Sequence, residues 1–100
     1  MRACLDVLAA MGIKAWRQNS GFLKNDKGQL IRMGPAGAAD ITGVLPTGLR
    51  LEVECKQPGQ QPTPEQWRWL REIEVNGGVA LVVHSAVELK ARLEQIRARQ

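Results

Sequence analysis

The sequence predicts an α/β fold: a single domain with a mixed central β-sheet flanked by helices. Three observations carry this. Helical spacing of apolar residues occurs near both ends of the chain and again after residue 63, with period-two segments between. The run "VALVV" at 79–83 is apolar on both faces, as in a strand covered on both sides. A length of 100 residues suits one domain with a modest core.

The elements follow in order. In "ACLDVLAAMG", Cys4 or Leu5, Leu8, Ala9 and Met11 fall at helical spacing, and Gly12 suits a C-cap. Asp6 interrupts the apolar run, so the segment reads as an amphipathic helix and not as a signal peptide. "IKAW" suits a short strand. "NSGFLKNDKGQLIRMG" reads as two strands, about 21–24 and 29–33, around the turn "NDKG". "GPAGAAD" is a loop, because its glycines and proline break regular structure. "DITGVL" and "LRLEVECK", joined by Pro46–Thr47–Gly48, make a hairpin. After the loop "QPGQQP", a helix starts with Thr63 as N-cap, Pro64 in its first turn and Gln66 at the capping-box position. Gly77 and Gly78 end it. The strand "VALVV" follows, then a last helix with Ser85 as N-cap and Glu88 three residues on.

Composition excludes several chemistries. There is no tyrosine, hence no tyrosine nucleophile for strand transfer. One histidine and two separated cysteines do not make a zinc site, and no P-loop motif is present. No stretch approaches the roughly 18 apolar residues of a membrane span. Two cysteines without a secretory context point to packed thiols and to the cytoplasm. The net charge is +4, and the excess lies in the first half, which holds seven Lys/Arg against three Asp. A basic segment beside a cluster of acids suits an anionic polymer handled with a cation.

The acids lie in "LEVECKQ". Alternation puts Leu51, Val53 and Cys55 on one face of the strand and Glu52, Glu54 and Lys56 on the other. If Leu45 pairs with Leu49 across the hairpin tip, Thr42 lies opposite Glu52 and Asp40 opposite Glu54, with Cβ atoms about 5 Å apart. Carboxylates so opposed repel, and a divalent cation removes the conflict. Mg²⁺ suits such hard oxygen ligands and keeps waters for substrate. Lys56 can orient a water or offset phosphate charge, and the main-chain carbonyl of Cys55 can be a third ligand. The plainer alternative is a solvated outer face with surface ion pairs. Asp40 opposite Glu54, and a glycine-rich loop that lets a polymer approach the backbone, favour the cation site.

Asp40 followed after thirteen residues by Glu54–Cys55–Lys56 resembles the PD-(D/E)XK nuclease pattern. With "GIKAWRQNSG", "GPAGAADITGVLPTG", "LEVECKQPGQQPTPEQWRWL" and "NGGVALVV" in this order, the chain resembles the VRR-NUC branch over residues 3–88. The resemblance implies a restriction-endonuclease-like αβββαβ core and a Mg²⁺- or Mn²⁺-dependent DNA phosphodiesterase. It implies Asp40, Glu54 and the Cys55 carbonyl as metal ligands and Lys56 as the catalytic lysine. Gln66 would help complete the site beside its capping role. Arg17 and Asn19 match an R-x-N-x-G pattern near the site, and with Lys24, Lys27 and Arg32 they are expected DNA-backbone contacts. Stand-alone members are taken to act as homodimers on branched DNA, such as Holliday junctions or flaps in replication and repair. One departure stands out: the family carries a glutamate on the first helix, before the position matching Ala3, and here no glutamate precedes Glu52. That bears on a second metal site, and it motivates the alternative of a non-catalytic DNA-binding module.

Two smaller expectations complete the reading. Trp67 and Trp69 lie about 200° apart on a helix, so one is expected at the surface as a possible dimer anchor. His84, just past the last strand, is expected to be structural or superficial.

Overall fold

The strand carrying the charged run, β5 (Arg50–Cys55), lies inside a four-stranded sheet in the computed structural model. The structure describes residues 1–18 and 21–99, with residues 21, 22, 32 and 33 described by backbone alone. On one side β5 pairs antiparallel with β4 (Ile41–Val44), which pairs antiparallel with β1 (Lys14–Arg17). On the other side it pairs parallel with β6 (Val79–Val83). The sheet is therefore mixed, with order β1-β4-β5-β6.

The hairpin register is the one expected from the sequence: Thr42 opposes Glu52 and Gly43 opposes Leu51. Its tip explains why. Gly48, at φ +92°, turns its N–H back onto the Leu45 carbonyl at 2.8 Å, and the Leu45 N–H donates to the Leu49 carbonyl at 2.9 Å. A loop of three residues with a left-handed glycine leaves no slack for a slip.

The parallel β5–β6 pair requires a crossover, which α2 (Pro64–Val75) supplies. Its start is as expected: Thr63 and Gln66 form a reciprocal capping box, with Pro64 at the first position. Helices α1 (Arg2–Ala10) and α3 (Ala86–Ala98) pack on the opposite face of the sheet. Cys4 and Leu8 of α1 and Leu89 and Leu93 of α3 meet Ile41, Leu51, Val53, Leu81 and Val83 there. This is the main core, and it takes the apolar face of β5. None of the described helices is long and apolar enough to cross a membrane.

Three features differ from expectation. The strands β2 (Gly21–Lys24) and β3 (Leu30–Met33) form a two-stranded sheet of their own. The strand β6 lies at the sheet's edge; Leu81 and Val83 are buried, whereas Val79, Ala80 and Val82 are only partly covered. The glycine-rich loop is packed from inside: Ala38 and Ala39 are buried. A Cβ on Gly37 would stand 2.6 Å from the Glu65 carbonyl oxygen. The close approach at Gly37 thus serves the first turn of α2 and not an incoming polymer.

Gly37 and Gly59 both have positive φ, at +75° and +84°, but a Cβ on Gly59 would meet nothing within 4 Å. Gly59→Ala therefore carries only conformational strain, about 1–2 kcal/mol. Gly37→Ala adds a collision with backbone, costing about 1–3 kcal/mol more. Urea unfolding of the two variants checks this difference.

Candidate active site

The pleat of β5 turns Glu52 and Glu54 towards α2, and both are buried, at 0% and 1% exposure. A solvated outer face is excluded. The α2 residues that bond this face, Gln66 and Trp69, are spaced three apart on one side of the helix.

Glu54 is the less satisfied of the two acids. Its Oε1 accepts from Gln66 Nε2 at 3.2 Å and lies 3.8 Å from Lys56 Nζ. Its Oε2 is buried with no hydrogen-bond partner. The Gln66 amide thereby does two things: Oε1 accepts the Thr63 N–H at 2.9 Å within the capping box, while Nε2 holds Glu54. The capping and site roles of this residue coexist.

Asp40 sits one residue before β4. Its main-chain carbonyl accepts the Gln18 N–H at 2.8 Å, extending the β1–β4 pairing. Its Oδ2 accepts the Cys55 N–H at 2.8 Å, so the side chain is tied to the end of β5. The Asp40 and Glu54 carboxyl groups come close enough to interact directly. Burial, then the nearby Asp40 carboxylate, push the Glu54 carboxyl up from 4.5 to about 8, although Lys56 pulls the other way.

These atoms fit a hard divalent cation. An orphaned carboxylate oxygen beside a second carboxylate is the donor set such an ion neutralises, and Asp40, which accepts the Cys55 N–H, and Glu54 supply it. No group of three His, Cys, Asp or Glu side chains in metal-binding arrangement occurs among the described residues. The side-chain donors present are the two carboxylates of Asp40 and Glu54.

The site opens into a cleft of about 480 Å³, lined by Asp40, Cys55, Lys56, Gln57, Gln60 and His84 among others. Lys56 is mostly covered, with 18% of its side chain exposed. The first turn of α1 contributes Ala3 and Cys4 to the wall. Cys4 and Cys55 are free thiols. Burial and the nearby Cys4 push the Cys55 thiol up to about 12, which suits a packing role.

Among the described residues, the expected DNA contacts Arg17, Lys24 and Lys27 do not line this cleft. Arg17 is exposed at the end of β1, beside Gln18 and hence near Asp40. Lys24 and Lys27 are exposed on the β2–β3 hairpin. Asn19 lies outside the described residues, as does the side chain of Arg32.

Four residues were not anticipated. Gln18 lies between the two singled out in "WRQNSG", and its Nε2 reaches the Ala39 carbonyl at 3.0 Å and Glu52 Oε1 at 3.3 Å. Trp69 Nε1 donates to the same Glu52 oxygen at 2.7 Å. Arg50 Nε lies 3.2 Å from Glu52 Oε2. His84 is not merely superficial: it lines the cleft, with Nε2 3.0 Å from the Gln60 carbonyl oxygen. Strand alternation could have found Gln18, which shares the parity of Trp16 opposite Thr42 and Glu52. Of Trp67 and Trp69, Trp67 is the exposed one, at 47%.

The class defined by sheet order and flanking helices is restriction-endonuclease-like α/β. A solved structure described as "VRR_NUC domain" is similar to the chain, with a TM-score of 0.67 and 24% identity over 93% of this chain and 88% of that one. At that identity the likeness establishes a shared fold. No family model matches the chain, and no curated protein does.

The raised Glu54 carboxyl sets a pH dependence. In the unfolded chain this group releases its proton near 4.5; in the folded, metal-free protein it holds it to about 8. Between those values the folded state binds more protons, so stability falls as pH rises. Metal-free protein should melt higher near pH 5 than near pH 8, and Glu54→Gln should flatten that slope. Calorimetric melting in the presence of chelator checks both.

Proposed function

We propose that the protein is a divalent-metal-dependent endonuclease that hydrolyses phosphodiester bonds in DNA. One observation carries this reading: a buried glutamate with an unpartnered oxygen, next to Asp40, with Lys56 Nζ 3.8 Å from its other oxygen. The fold shared with a VRR_NUC domain supports it.

In this reading Asp40, Glu54 and the main-chain carbonyl of Cys55 hold Mg²⁺ or Mn²⁺. The bound ion supplies Lewis-acid polarisation of a phosphate oxygen and of water. The protein does the rest by position. Gln66 and Lys56 hold Glu54 Oε1, which would leave Oε2 free to bind the ion. Lys56 stands where its ammonium can orient the attacking water and offset charge on the phosphate as the 3′ oxygen leaves. Arg17, Lys24 and Lys27, with Asn19 and Arg32, contact the DNA backbone. Such contacts position the strand without reading its sequence. The substrate is branched DNA, a four-way junction or a flap. Two copies act as a homodimer through a surface that includes Trp67, since paired nicks need two symmetric sites.

Cleavage of junction, flap and duplex DNA with Mg²⁺ tests the reading. Wild-type protein should cut, and Lys56→Ala should cut about a hundredfold more slowly or worse. Asp40→Asn and Glu54→Gln should abolish divalent binding by calorimetry. DNA binding without any metal binding would instead mark a non-catalytic module, and no cleavage of any substrate would sink the nuclease.

Light scattering checks the assembly. A dimer is expected, and Trp67→Ser should shift it towards monomer.

A further inference from the structure

Glu52 is a buried carboxylate outside the proposed ligand set, with 0% exposure. Filling an interior position with an acid held by an indole, an amide and a half-exposed arginine is no more stabilising than an apolar side chain of the same size. What the acid adds is direction, because each bond fixes a different segment. Trp69 Nε1 ties α2 to it at 2.7 Å, three residues along the helix from Gln66, which holds Glu54. Gln18 ties β1 to it at 3.3 Å, and the second N–H of the same amide takes the buried Ala39 carbonyl at 3.0 Å. The Gln18 main-chain N–H takes the next carbonyl, that of Asp40, at 2.8 Å. One glutamine thus clamps both peptide groups flanking the Asp40 α-carbon and braces them on Glu52.

We infer that Glu52, acting through Gln18 and Trp69, is the positioning residue of the site: it fixes the Asp40 segment and α2 relative to β5. The inference rests on the nuclease reading for its purpose but not for its geometry. Outer partners of this kind typically change metal affinity by about 10–100-fold when lost.

The Cys55 amide reports the position of Asp40 directly, because it donates to Asp40 Oδ2 at 2.8 Å. Amide exchange is followed by NMR in metal-free protein for wild type, Gln18→Ala, Glu52→Leu and Glu52→Gln. Gln18→Ala and Glu52→Leu should speed Cys55 exchange about tenfold or more while Val53 and Leu81 keep wild-type rates. Glu52→Gln keeps an acceptor for Gln18 and Trp69 and should stay near wild type. If Glu52→Leu does not fold, Gln18→Ala decides alone. A wild-type Cys55 rate in Gln18→Ala overturns the inference, and so does uniform acceleration of all core amides. In a second arm, Mn²⁺ affinity should fall about tenfold in Gln18→Ala. Wild-type protein that binds no divalent ion would defeat the nuclease reading, and the exchange pattern would still decide the role of Glu52.

Discussion

Two carboxyl groups, Asp40 and Glu54, are held close together in a largely covered position, and the rest of the α2 side is arranged around that conflict. Water would separate such a pair or screen it; here Glu54 is 1% exposed, with one oxygen unpartnered. The chain answers part of the cost with a backbone N–H on Asp40 and with Gln66 and Lys56 on one Glu54 oxygen. The remainder appears as a proton held to about pH 8. A cation in that place would take over the role of the proton, and the proposed function rests on that exchange.

The two faces of β5 divide the work. Leu51 and Val53 anchor the sheet on α1 and α3 through an almost wholly apolar core. Glu52 and Glu54 face α2, where glutamine and tryptophan donors replace apolar packing. The apolar side stabilises the domain, and this allows the other side to keep unsatisfied polar atoms. The capping box of α2 links the two levels, since the residue that closes the helix N-terminus also grips Glu54.

Much of this was legible in the sequence because the decisive constraints are local. Pro46–Thr47–Gly48 sets the hairpin register, and the register pairs Ile41 with Val53, one residue short of Asp40 and Glu54. Thr63, Pro64 and Gln66 mark the start of α2 through short-range hydrogen bonds. What was not legible depends on how distant elements dock. The burial of Glu52 requires α2 to lie over β5, and the part played by Gly37 requires Glu65 to lie against it. The separate β2–β3 sheet is a pairing choice that strand propensity does not encode. His84 reads as a residue after a strand until the cleft brings it beside Gln60.

The most direct measurement is the titration of the Glu54 side-chain carboxyl by carbon NMR, with and without Mg²⁺. Without the ion, Glu54 should titrate near 8, and saturating Mg²⁺ should bring the midpoint down to the ordinary 4.5 or below. A Glu54 that titrates near 4.5 without metal and does not respond to Mg²⁺ would contradict the account.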